Sequence, residues 1–504
     1  MLRPTGVRMR GADLRRTLGL PEGPPAEVTG ITLDSRRVRP GDVYAALPGF
    51  TTHGARFAAM AQGSGALAVL TDPTGAQIVA ANDGVDVPVL VVADPRAVLG
   101  ALSAAIYGHP SAHLATTGIT GTNGKTTTSY LLDAALRAAG RTTGLIGTVA
   151  THVGDEILPS ARTTPEAPDV HALLAVMRQR GASAVTMEVS SHALSLGRVD
   201  GIRFDLAVFT NLSQDHLDFH GDMASYFAAK ADLFTPARAA AGLVCIDDAW
   251  GQRLAADAGL PITTYALDRP ADWTASALAP GPHGSTTFTV HGPAGDLPAA
   301  VMLPGRFNVA NALAALAAAV HHGVVPVLAA DAIAACPGVP GRMERVLAGQ
   351  SFLAIVDYAH TPDAVDRAIS AARESVPGRV LVVLGCGGDR DRDKRPRMGQ
   401  VAAAGADVLI VTDDNPRSES PTAIRADMMT GAAQVPDRQR AQLHEVGDRR
   451  LAIRAAVDLA GQQDCVLILG KGHEQGQEVA GGVSSFDDRV ELAAALHGAD
   501  EEIR

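Results

Sequence analysis

A glycine-rich segment near residue 120 has the residue types that hold phosphate groups. Gly118–Thr127 reads GITGTNGKTT, and it stands between a strand-like run that begins at Ala115 and an apolar-periodic helix over Thr126–Ala139. Glycines let successive backbone N–H groups turn toward one anion, and the helix N-terminus adds partial positive charge. Lys125 can reach the β- and γ-phosphates of a nucleotide, and the Thr126 hydroxyl can bind Mg²⁺.

The usual phosphate-loop pattern is not met in full, because Ile119 occupies the position of its first glycine. The alternative is a glycine-rich turn that binds nothing. The order of strand, glycine turn and helix favours a phosphate loop, so the segment predicts nucleotide binding.

Polar side chains follow the next strands of the same region. Glu188 lies near the end of a strand over Ala184–Val189, where the carboxyl ends of parallel strands face a ligand crevice, so it is a candidate Mg²⁺ ligand. A surface carboxylate at a strand end is the alternative. His216 and His220 are four residues apart, which fits either a zinc pair or the capped start of a helix, since no HExxH motif is present. Lys230 lies in a helical run, and its residue type alone predicts an exposed lysine.

Four polar loops follow apolar strands in the last third of the chain. They read DYAHTPD, GCGGDRD, DDNPR and GKGHE, at Asp357–Asp363, Gly385–Asp391, Asp413–Arg417 and Gly470–Glu474. In a doubly wound sheet all four would meet at one edge, which predicts a second binding site. The alternative is ordinary loop chemistry, because Gly, Asn, Asp and Pro favour turns.

The elements that position these segments divide into three regions, and the predicted fold class is α/β. Short apolar runs alternate with Gly, Pro and Asp over residues 1–109, which predicts a small α/β domain. Strands alternate with helices over 110–338, which predicts a central P-loop-type doubly wound domain. The Pro/Gly cluster Cys336–Arg342 reads as a linker, and 339–504 predicts a C-terminal Rossmann-like domain.

Composition excludes several classes of protein. The 504 residues are 46% hydrophobic and 19% charged, as in globular proteins, and the formal net charge of -11 disfavours a nucleic-acid or acidic-membrane binder. The four cysteines form no CxxC pair, so reduced, buried thiols are expected. The N-terminus lacks an apolar signal-peptide core, and the alanine-rich run over 313–335 is interrupted by His321, His322 and Pro326. We therefore expect a monomeric, cytoplasmic protein with no membrane span.

The order of the motifs resembles that of the Mur ligases. The matching segments are GTNGKTTT, EVSSHAL, NLSQDHLDFHG, YFAAK, GRFNVAN, GRMERV, DYAHTPD, GCGGDRD, DNPR and GKGHE. The segment LDSRRVRPGD, from Leu33 to Asp42, extends the match to the first region and so to nearly the whole chain. The resemblance implies an ATP- and Mg²⁺-dependent ligase of peptidoglycan precursor synthesis. It implies that this ligase adds meso-diaminopimelate to UDP-N-acetylmuramoyl-L-alanyl-D-glutamate through an acyl phosphate.

The resemblance also assigns site residues. Those expected at ATP are Gly121, Thr122, Asn123, Gly124, Lys125, Thr126, Thr127, Asn308 and Arg342. The expected catalytic residues are Lys125, Lys230, Glu188 and His216, and the expected metal ligands are Thr126, Glu188, His216 and Lys230 as a carbamate. The expected UDP-muramoyl-dipeptide contacts are Ser35, Thr163, Thr164, Ser190 and Arg198. The expected diaminopimelate contacts are Arg390, Asp414, Asn415, Pro416, Arg417, Gly470 and Glu474.

Two kinds of rival are compatible with parts of this pattern. A lysine-adding ligase or a folylpolyglutamate-type enzyme shares the phosphate loop, but the DNPR segment and the first region argue against both. A non-catalytic relative that keeps the fold as a scaffold is expected to lose Lys125, Glu188 or Lys230, and all three are present.

Overall fold

Three α/β regions follow one another along the chain. The structure, a computed structural model, describes residues 2–501 apart from positions 22, 25, 50, 83, 161, 282 and 283. The regions are built on a four-stranded, an eleven-stranded and a six-stranded sheet, and a two-stranded hairpin lies near the C-terminus.

The first region is a parallel sheet with strands in the order β1-β2-β3-β4. Its strands are β1 Gly30–Thr32, β2 Asp42–Ala45, β3 Ala68–Thr71 and β4 Val89–Val91. Its helices are α1 Gly11–Leu18, α2 Ala58–Gly63, α3 Pro73–Ala80 and α4 Pro95–Ile106. Asp72 and Asp94 cap α3 and α4 by accepting hydrogen bonds from backbone N–H groups, and a proline follows each cap.

The central region is one sheet of eleven strands. They are β5 Ala115–Thr120, β6 Thr143–Ile146, β7 Ala150–Val153, β8 Glu156–Pro159, β9 Ala184–Glu188, β10 Phe204–Phe209, β11 Ala239–Cys245, β12 Ile262–Ala266, β13 Trp273–Pro280, β14 Thr286–Gly292 and β15 Gly295–Val301. The helices are α5 Lys125–Ala138, α6 Ala167–Gln179, α7 Ser191–Ser195, α8 Leu217–His220, α9 Met223–Ala231, α10 Ala249–Asp257, α11 Arg306–His321 and α12 Pro326–Ala335.

Strand order in the central sheet is β15-β14-β13-β12-β11-β10-β5-β9-β6-β7-β8. The inner strands, from β13 to β6, are parallel, as the alternation of strands and helices predicts. Antiparallel pairs extend the sheet at both ends, through β14 and β15 on one side and β7 and β8 on the other. Strand β5 lies between β10 and β9, so the loops that follow these three strands meet at one sheet edge.

The third region has a six-stranded sheet in the order β16-β17-β21-β18-β19-β20, parallel except for β16. Its strands are β16 Glu344–Arg345, β17 Leu353–Asp357, β18 Val380–Leu384, β19 Val408–Val411, β20 Gln442–Glu445 and β21 Cys465–Leu469, and the hairpin is β22 Gly476–Val479 with β23 Gly482–Ser485. Its helices are α13 Pro362–Ser375, α14 Lys394–Gly405, α15 Pro421–Ala432, α16 Arg449–Leu459 and α17 Asp488–Glu501.

The fold shows where the cysteines and the alanine-rich run lie. All four cysteines are free and buried, as predicted. The alanine-rich run falls on two separate helices, α11 and α12. Among the described residues, no helix is both long and apolar enough to cross a membrane.

Candidate active site

The phosphate loop joins β5 to α5, as the sequence predicts. Gly121 and Gly124 have φ angles of 141° and 90°. A Cβ atom at Gly121 would lie 1.9 Å from Thr210 Oγ1, and one at Gly124 would lie 2.3 Å from Asn311 Oδ1. Both positions therefore require glycine, for backbone conformation and for space.

The segment after β10 holds the phosphate loop in place. The backbone N–H of Thr122 donates to the Asn211 carbonyl (2.9 Å), and that of Asn123 donates to Asn211 Oδ1 (3.0 Å). The Thr122 hydroxyl donates to the Ser213 carbonyl (3.1 Å). Asn211 and Ser213 belong to the NLSQDH segment, so this motif supports the loop directly.

Lys125 is the first residue of α5 and is half-buried. Its Nζ donates to the carbonyls of Gly121 (2.9 Å) and Thr122 (2.8 Å). Burial lowers its pKa, and the negative charges of Glu188 and Asp215 oppose that effect. Thr126 and Thr127 follow it and are buried. The ammonium is therefore held at the point where the loop and the helix N-terminus converge.

Glu188 is fully buried behind the loop, which rules out the surface-carboxylate alternative. Its carboxylate accepts hydrogen bonds from the Thr126 hydroxyl (3.0 Å) and from the backbone N–H (2.9 Å) and hydroxyl (3.0 Å) of Thr148. Thr148 was not among the sequence candidates, because it lies in an irregular turn after β6 with no motif to mark it. The carboxylate thus lies against the threonine expected at Mg²⁺.

Lys230 is buried, so the prediction of an exposed helical lysine is wrong. Its Nζ donates to the Gly121 carbonyl (2.9 Å) and lies 4.6 Å from the centre of the Tyr226 ring. Burial lowers its pKa well below the ordinary value, and the nearby charge of Lys125 lowers it further. The structure therefore places a second amine against the phosphate loop.

His216 immediately precedes the short helix α8, and its backbone is in the left-handed region, with φ of 55°. Its Nε2 lies 3.4 Å from Asp215 Oδ2. Burial lowers its pKa to about 4, against the opposing charge of Asp215. Its side chain makes no capping hydrogen bond to α8, and His220 instead lies 2.9 Å from the Ser191 hydroxyl. Within the described residues, no group of three or more His, Cys, Asp and Glu side chains could hold a metal ion, which leaves the zinc alternative without a ligand set.

Of the two more distant ATP candidates, only Arg342 contacts the loop directly. Its Nη2 donates to the Thr126 hydroxyl (3.3 Å), and its guanidinium lies 4.3 Å from the centre of the Tyr358 ring. Asn308 is buried at the start of α11, where it donates to the Pro304 carbonyl (2.7 Å) and accepts from Asn311 (3.2 Å). Asn311 packs against Gly124, so Asn308 reaches the loop only through its neighbour.

A cavity of about 930 Å³ lies between the first and central regions. Ser35 lines it, together with Arg36, Arg37, Arg162 and Glu166. Arginines beside such a space suit an anionic ligand.

The other four residues expected at the nucleotide-sugar substrate lie between this cavity and Glu188. Thr164 donates to the Glu188 carbonyl (2.8 Å) and accepts from the backbone N–H of Ser190 (3.1 Å). Arg198 donates to the Thr164 carbonyl (3.3 Å) and lies 3.0 Å from the carboxylate of Glu166. The hydroxyl of Thr163 lies 3.0 Å from that of Thr148. They form a continuous path from the cavity to the phosphate loop.

In the third region, the residues expected at diaminopimelate surround one lysine that the sequence did not single out. The Nζ of Lys471 donates to Asn415 Oδ1 (2.9 Å) and Glu474 Oε2 (3.3 Å), and it lies 3.9 Å from Asp414 Oδ1. Gly470 has φ of 117°, and a Cβ atom there would lie 2.6 Å from Asp414 Oδ2. The loops after β19 and β21 thus meet, as the sheet-edge argument predicts.

Arg417 lies beside this cluster in the left-handed region, with φ of 52°. Pro416, which precedes it, is buried. The Nη1 of Arg417 donates to the Gly388 carbonyl (2.8 Å), and its Nε lies 3.2 Å from the carboxylate of Glu478 in β22. Arg390 is different, because its exposed guanidinium donates to the Asp389 carbonyl (3.2 Å). The structure therefore gathers six of the seven candidates and leaves Arg390 at the rim.

Contacts between the central and third regions bring the two sites together. Asn123 of the phosphate loop donates to Asp363 (3.1 Å), which begins α13. His473 lies 5.1 Å, ring to ring, from Tyr358, the residue under Arg342. Burial lowers the pKa of His473 to about 4, and a hydrogen bond to the backbone of Thr148 opposes that effect. The GKGHE loop thus touches both the amino-acid cluster and the residues around Glu188.

Comparison with known proteins agrees with this arrangement. Residues 27–107 match the model described as the Mur ligase family catalytic domain, 119–319 the Mur ligase middle domain, and 341–472 the Mur ligase glutamate ligase domain. A protein from Streptomyces avermitilis, named UDP-N-acetylmuramoyl-L-alanyl-D-glutamate--2,6-diaminopimelate ligase, is 56% identical over 94% of this chain and 93% of its own length. A protein of the same name from Corynebacterium efficiens is 50% identical over 96% of this chain and 94% of its own length.

Solved structures show the same fold. A structure of a UDP-N-acetylmuramoyl-L-alanyl-D-glutamate--2,6-diaminopimelate ligase superimposes with a TM-score of 0.67 at 33% identity, covering 97% of this chain and 99% of the other. The MurF ligase of Thermotoga maritima in complex with ADP gives a TM-score of 0.64 at 17% identity, covering 94% of this chain and 97% of the other. Taken with the three matched regions, these similarities place the chain in the Mur ligase family.

Proposed function

We propose that this protein is an ATP-dependent ligase that joins meso-diaminopimelate to UDP-N-acetylmuramoyl-L-alanyl-D-glutamate in peptidoglycan precursor synthesis. The observation that carries the proposal is the junction of two sites across the central and third regions. One site has a phosphate loop with Lys125, Glu188 and Lys230, and the other has carboxylates and an arginine suited to a zwitterionic amino acid. The activity named for the relatives at 56% and 50% identity supports the same substrates.

Each region has a distinct role in this proposal. Residues 1–109 and the adjoining cavity bind the UDP-muramoyl-dipeptide, residues 110–338 bind ATP, and residues 339–504 bind diaminopimelate. The cavity supports the first role, because arginines line it and its path of polar residues ends at Glu188. We propose that the enzyme acts as a monomer, since one chain supplies the residues of the proposed site. We also propose that it acts in the cytoplasm.

The side chains around the phosphate loop suit Mg²⁺. Glu188 and Thr126 supply a carboxylate and a hydroxyl that already lie 3.0 Å apart. Mg²⁺ is usually held by one or two carboxylates together with substrate phosphates, so a complete protein cage is not required. A carbamate on Lys230 would add a further oxygen ligand, and the lowered pKa of this buried amine favours the neutral form that reacts with CO₂. Bound Mg²⁺ would neutralise charge on the transferred phosphoryl group.

The proposed reaction takes place in two steps. A carboxylate is a poor acyl donor, so its oxygen first attacks the γ-phosphate of ATP and ADP leaves, which forms an acyl phosphate. Two anions meet in this step, and Lys125 with the backbone N–H groups of the loop stabilises the charge that develops. The amine of diaminopimelate then attacks the acyl carbon, loses a proton and displaces phosphate.

Arg342 and His473 lie where the two half-reactions meet. Arg342 comes from the segment before β16 and reaches Thr126, so closure of the third region positions its charge at the phosphates. His473 covers the turn at Thr148 behind Glu188. Exclusion of water at this junction protects an acyl phosphate from hydrolysis.

Product formation with substrate omission tests the proposal. The purified enzyme is given ATP, Mg²⁺, the UDP-muramoyl-dipeptide and meso-diaminopimelate, and ADP and the UDP-muramoyl-tripeptide are measured. We expect stoichiometric ADP and tripeptide that both require all components. ADP release without tripeptide, or no ADP release under any combination, would contradict the proposal.

A further inference from the structure

The GKGHE loop places a lysine at the centre of the proposed diaminopimelate site without exposing it to solvent. Lys471 has 0% exposure, and its ammonium contacts the side chains of Asn415, Glu474 and Asp414. No part of the proposed chemistry requires an amine that substrate cannot reach. Its position therefore calls for a role that acts through its neighbours.

Hydrogen bonding shows what Lys471 does to Asn415. The side-chain oxygen of Asn415, Oδ1, accepts from Lys471 (2.9 Å) and from the backbone N–H of Glu478 (3.0 Å). These two donors fix the amide, so its NH₂ group points to Glu474 Oε2 at 2.8 Å. Since Lys471 also donates to Oε2, the other oxygen of Glu474 is left available to a ligand.

The formal charge of the cluster also indicates what kind of ligand group it suits. Asp414 and Glu474 place two carboxylates beside one lysine, which leaves one negative charge in excess. Arg449, another buried cation, is paired with Asp488 at 2.7 Å, and both side chains are 0% exposed. A site with one excess negative charge suits an ammonium group, while Arg417 beside it suits a carboxylate.

We infer that Lys471 is a positioning residue that fixes Asn415, Asp414 and Glu474 for the ammonium of a zwitterionic amino-acid substrate. This inference rests on the proposed function and adds to it a residue that shapes amino-acid affinity without touching the amino acid. Lys471 lies beside both carboxylates and orients the one amide between them.

The test replaces Lys471 by methionine, which has a similar length and no charge. We expect Lys471→Met to raise the KM for diaminopimelate by about tenfold or more, because hydrogen bonds to charged groups are lost. The KM values for ATP and the UDP-muramoyl-dipeptide should stay within about twofold of the wild type, since those sites are formed by other regions. The matched control is Arg373→Met, which removes an exposed cation paired with Asp407 at 2.6 Å in the same region and should change none of the three.

A pH profile separates positioning from general support of the fold. Neighbouring carboxylates without a cation between them take up a proton at higher pH. The acidic limb of kcat/KM for diaminopimelate should therefore move to higher pH in Lys471→Met. Other charged and titratable groups around the cluster include Arg449, Asp488, Arg417, Glu478, Tyr358, His473 and the thiol of Cys386, and all are unchanged in the variant.

The double variant Lys471→Met/Glu474→Gln keeps the test decisive if the single variant does not fold. It restores the original excess charge, so its acidic limb should return toward that of the wild type while the KM for diaminopimelate stays high. A folded variant with the KM and pH profile of the wild type, or an equal rise in all three KM values, would overturn the inference. If the wild type itself does not use diaminopimelate, the proposed function fails first, and that result is distinct.

Discussion

Two lysine amines meet at one carbonyl of the phosphate loop, at the centre of the proposed active site. Lys125 and Lys230 both donate to the carbonyl of Gly121, each at 2.9 Å. Burial and the nearby charge of Lys125 both lower the pKa of Lys230. The two amines therefore have different surroundings, which supports the proposed division between a phosphate ligand, Lys125, and a carbamylated lysine, Lys230.

Replacement of Lys230 tests this division of roles. Lys230→Ala should lower kcat by about 10²–10³ or more, because oxygen ligands of the metal region are lost. Small added carboxylates should restore part of the activity to Lys230→Ala, whereas Lys230→Arg should remain inactive, because guanidinium forms no carbamate. Steady-state ADP release, with and without added acetate, is the measurement. Full activity of Lys230→Ala would show that the amine is structural.

Arg417 is predicted to decide which amino acid is used. Meso-diaminopimelate differs from lysine by a carboxylate at its far stereocentre, and the planar guanidinium matches a carboxylate. Gly388 and Glu478 hold this guanidinium before any substrate arrives, which lowers the entropy cost of binding. Arg417→Ala should lower kcat/KM for diaminopimelate by about tenfold to a thousandfold and change that for lysine little.

The control for Arg417 is Arg392→Ala, which removes an arginine that is 71% exposed and paired with Glu419 in a neighbouring loop. This variant should keep the ratio of kcat/KM for diaminopimelate over lysine. If Arg417→Ala also keeps that ratio, selectivity resides elsewhere in the third region.

At the scale of elements, the junction of β5, the phosphate loop and α5 depends on backbone conformation. Gly121→Ala should weaken ADP binding by about tenfold or more, because the left-handed backbone strain is about 1–3 kcal/mol and the new Cβ would overlap Thr210 Oγ1. The matched control is Gly140→Ala, at the far end of α5, where φ is 77° but no atom lies within 4 Å of the new Cβ. Calorimetric titration of ADP compares the two, and equal affinity would show that the loop tolerates the side chain.

Short apolar runs with clear ends predicted buried strands, and the predicted strand over Ala184–Val189 is β9, Ala184–Glu188. The predicted helix over Thr126–Ala139 is α5, which begins one residue earlier. The antiparallel strands β7, β8, β14 and β15 were not predicted, because their sequences lack such runs. Strands β8, β14 and β15 are also partly exposed, whereas most of β7 is buried. Their place in the sheet is decided by pairing with distant residues.

Candidate site residues could likewise be predicted only where the pattern is local in the sequence. The phosphate loop could be located by local pattern, since its chemistry lies in consecutive residues. The burial of Lys230 could not, because it depends on how α9 packs beneath a loop more than a hundred positions earlier in the sequence. Thr148 and Lys471 were missed for a related reason. Thr148 donates to the carboxylate of Glu188 in another element, and Lys471 contacts Asn415 and Asp414 of another loop.

Three regions of the whole molecule are proposed to act on one reaction. The apolar core is continuous between the central and third regions, and polar contacts such as that between Asn123 and Asp363 join the phosphate loop to the amino-acid region. The GKGHE loop contacts both sites, so diaminopimelate binding and closure over ATP are expected to be coupled.

Amino-acid discrimination by the wild-type enzyme tests whether this chain is a diaminopimelate ligase. The measurement is kcat/KM for ADP release with meso-diaminopimelate and with lysine, at saturating ATP and UDP-muramoyl-dipeptide. We predict efficient turnover of diaminopimelate, with a kcat/KM about 10³ or more times that for lysine. The reason is that lysine has no second carboxylate to pair with the guanidinium of Arg417. Equal use of both amino acids, or a preference for lysine, would contradict the account.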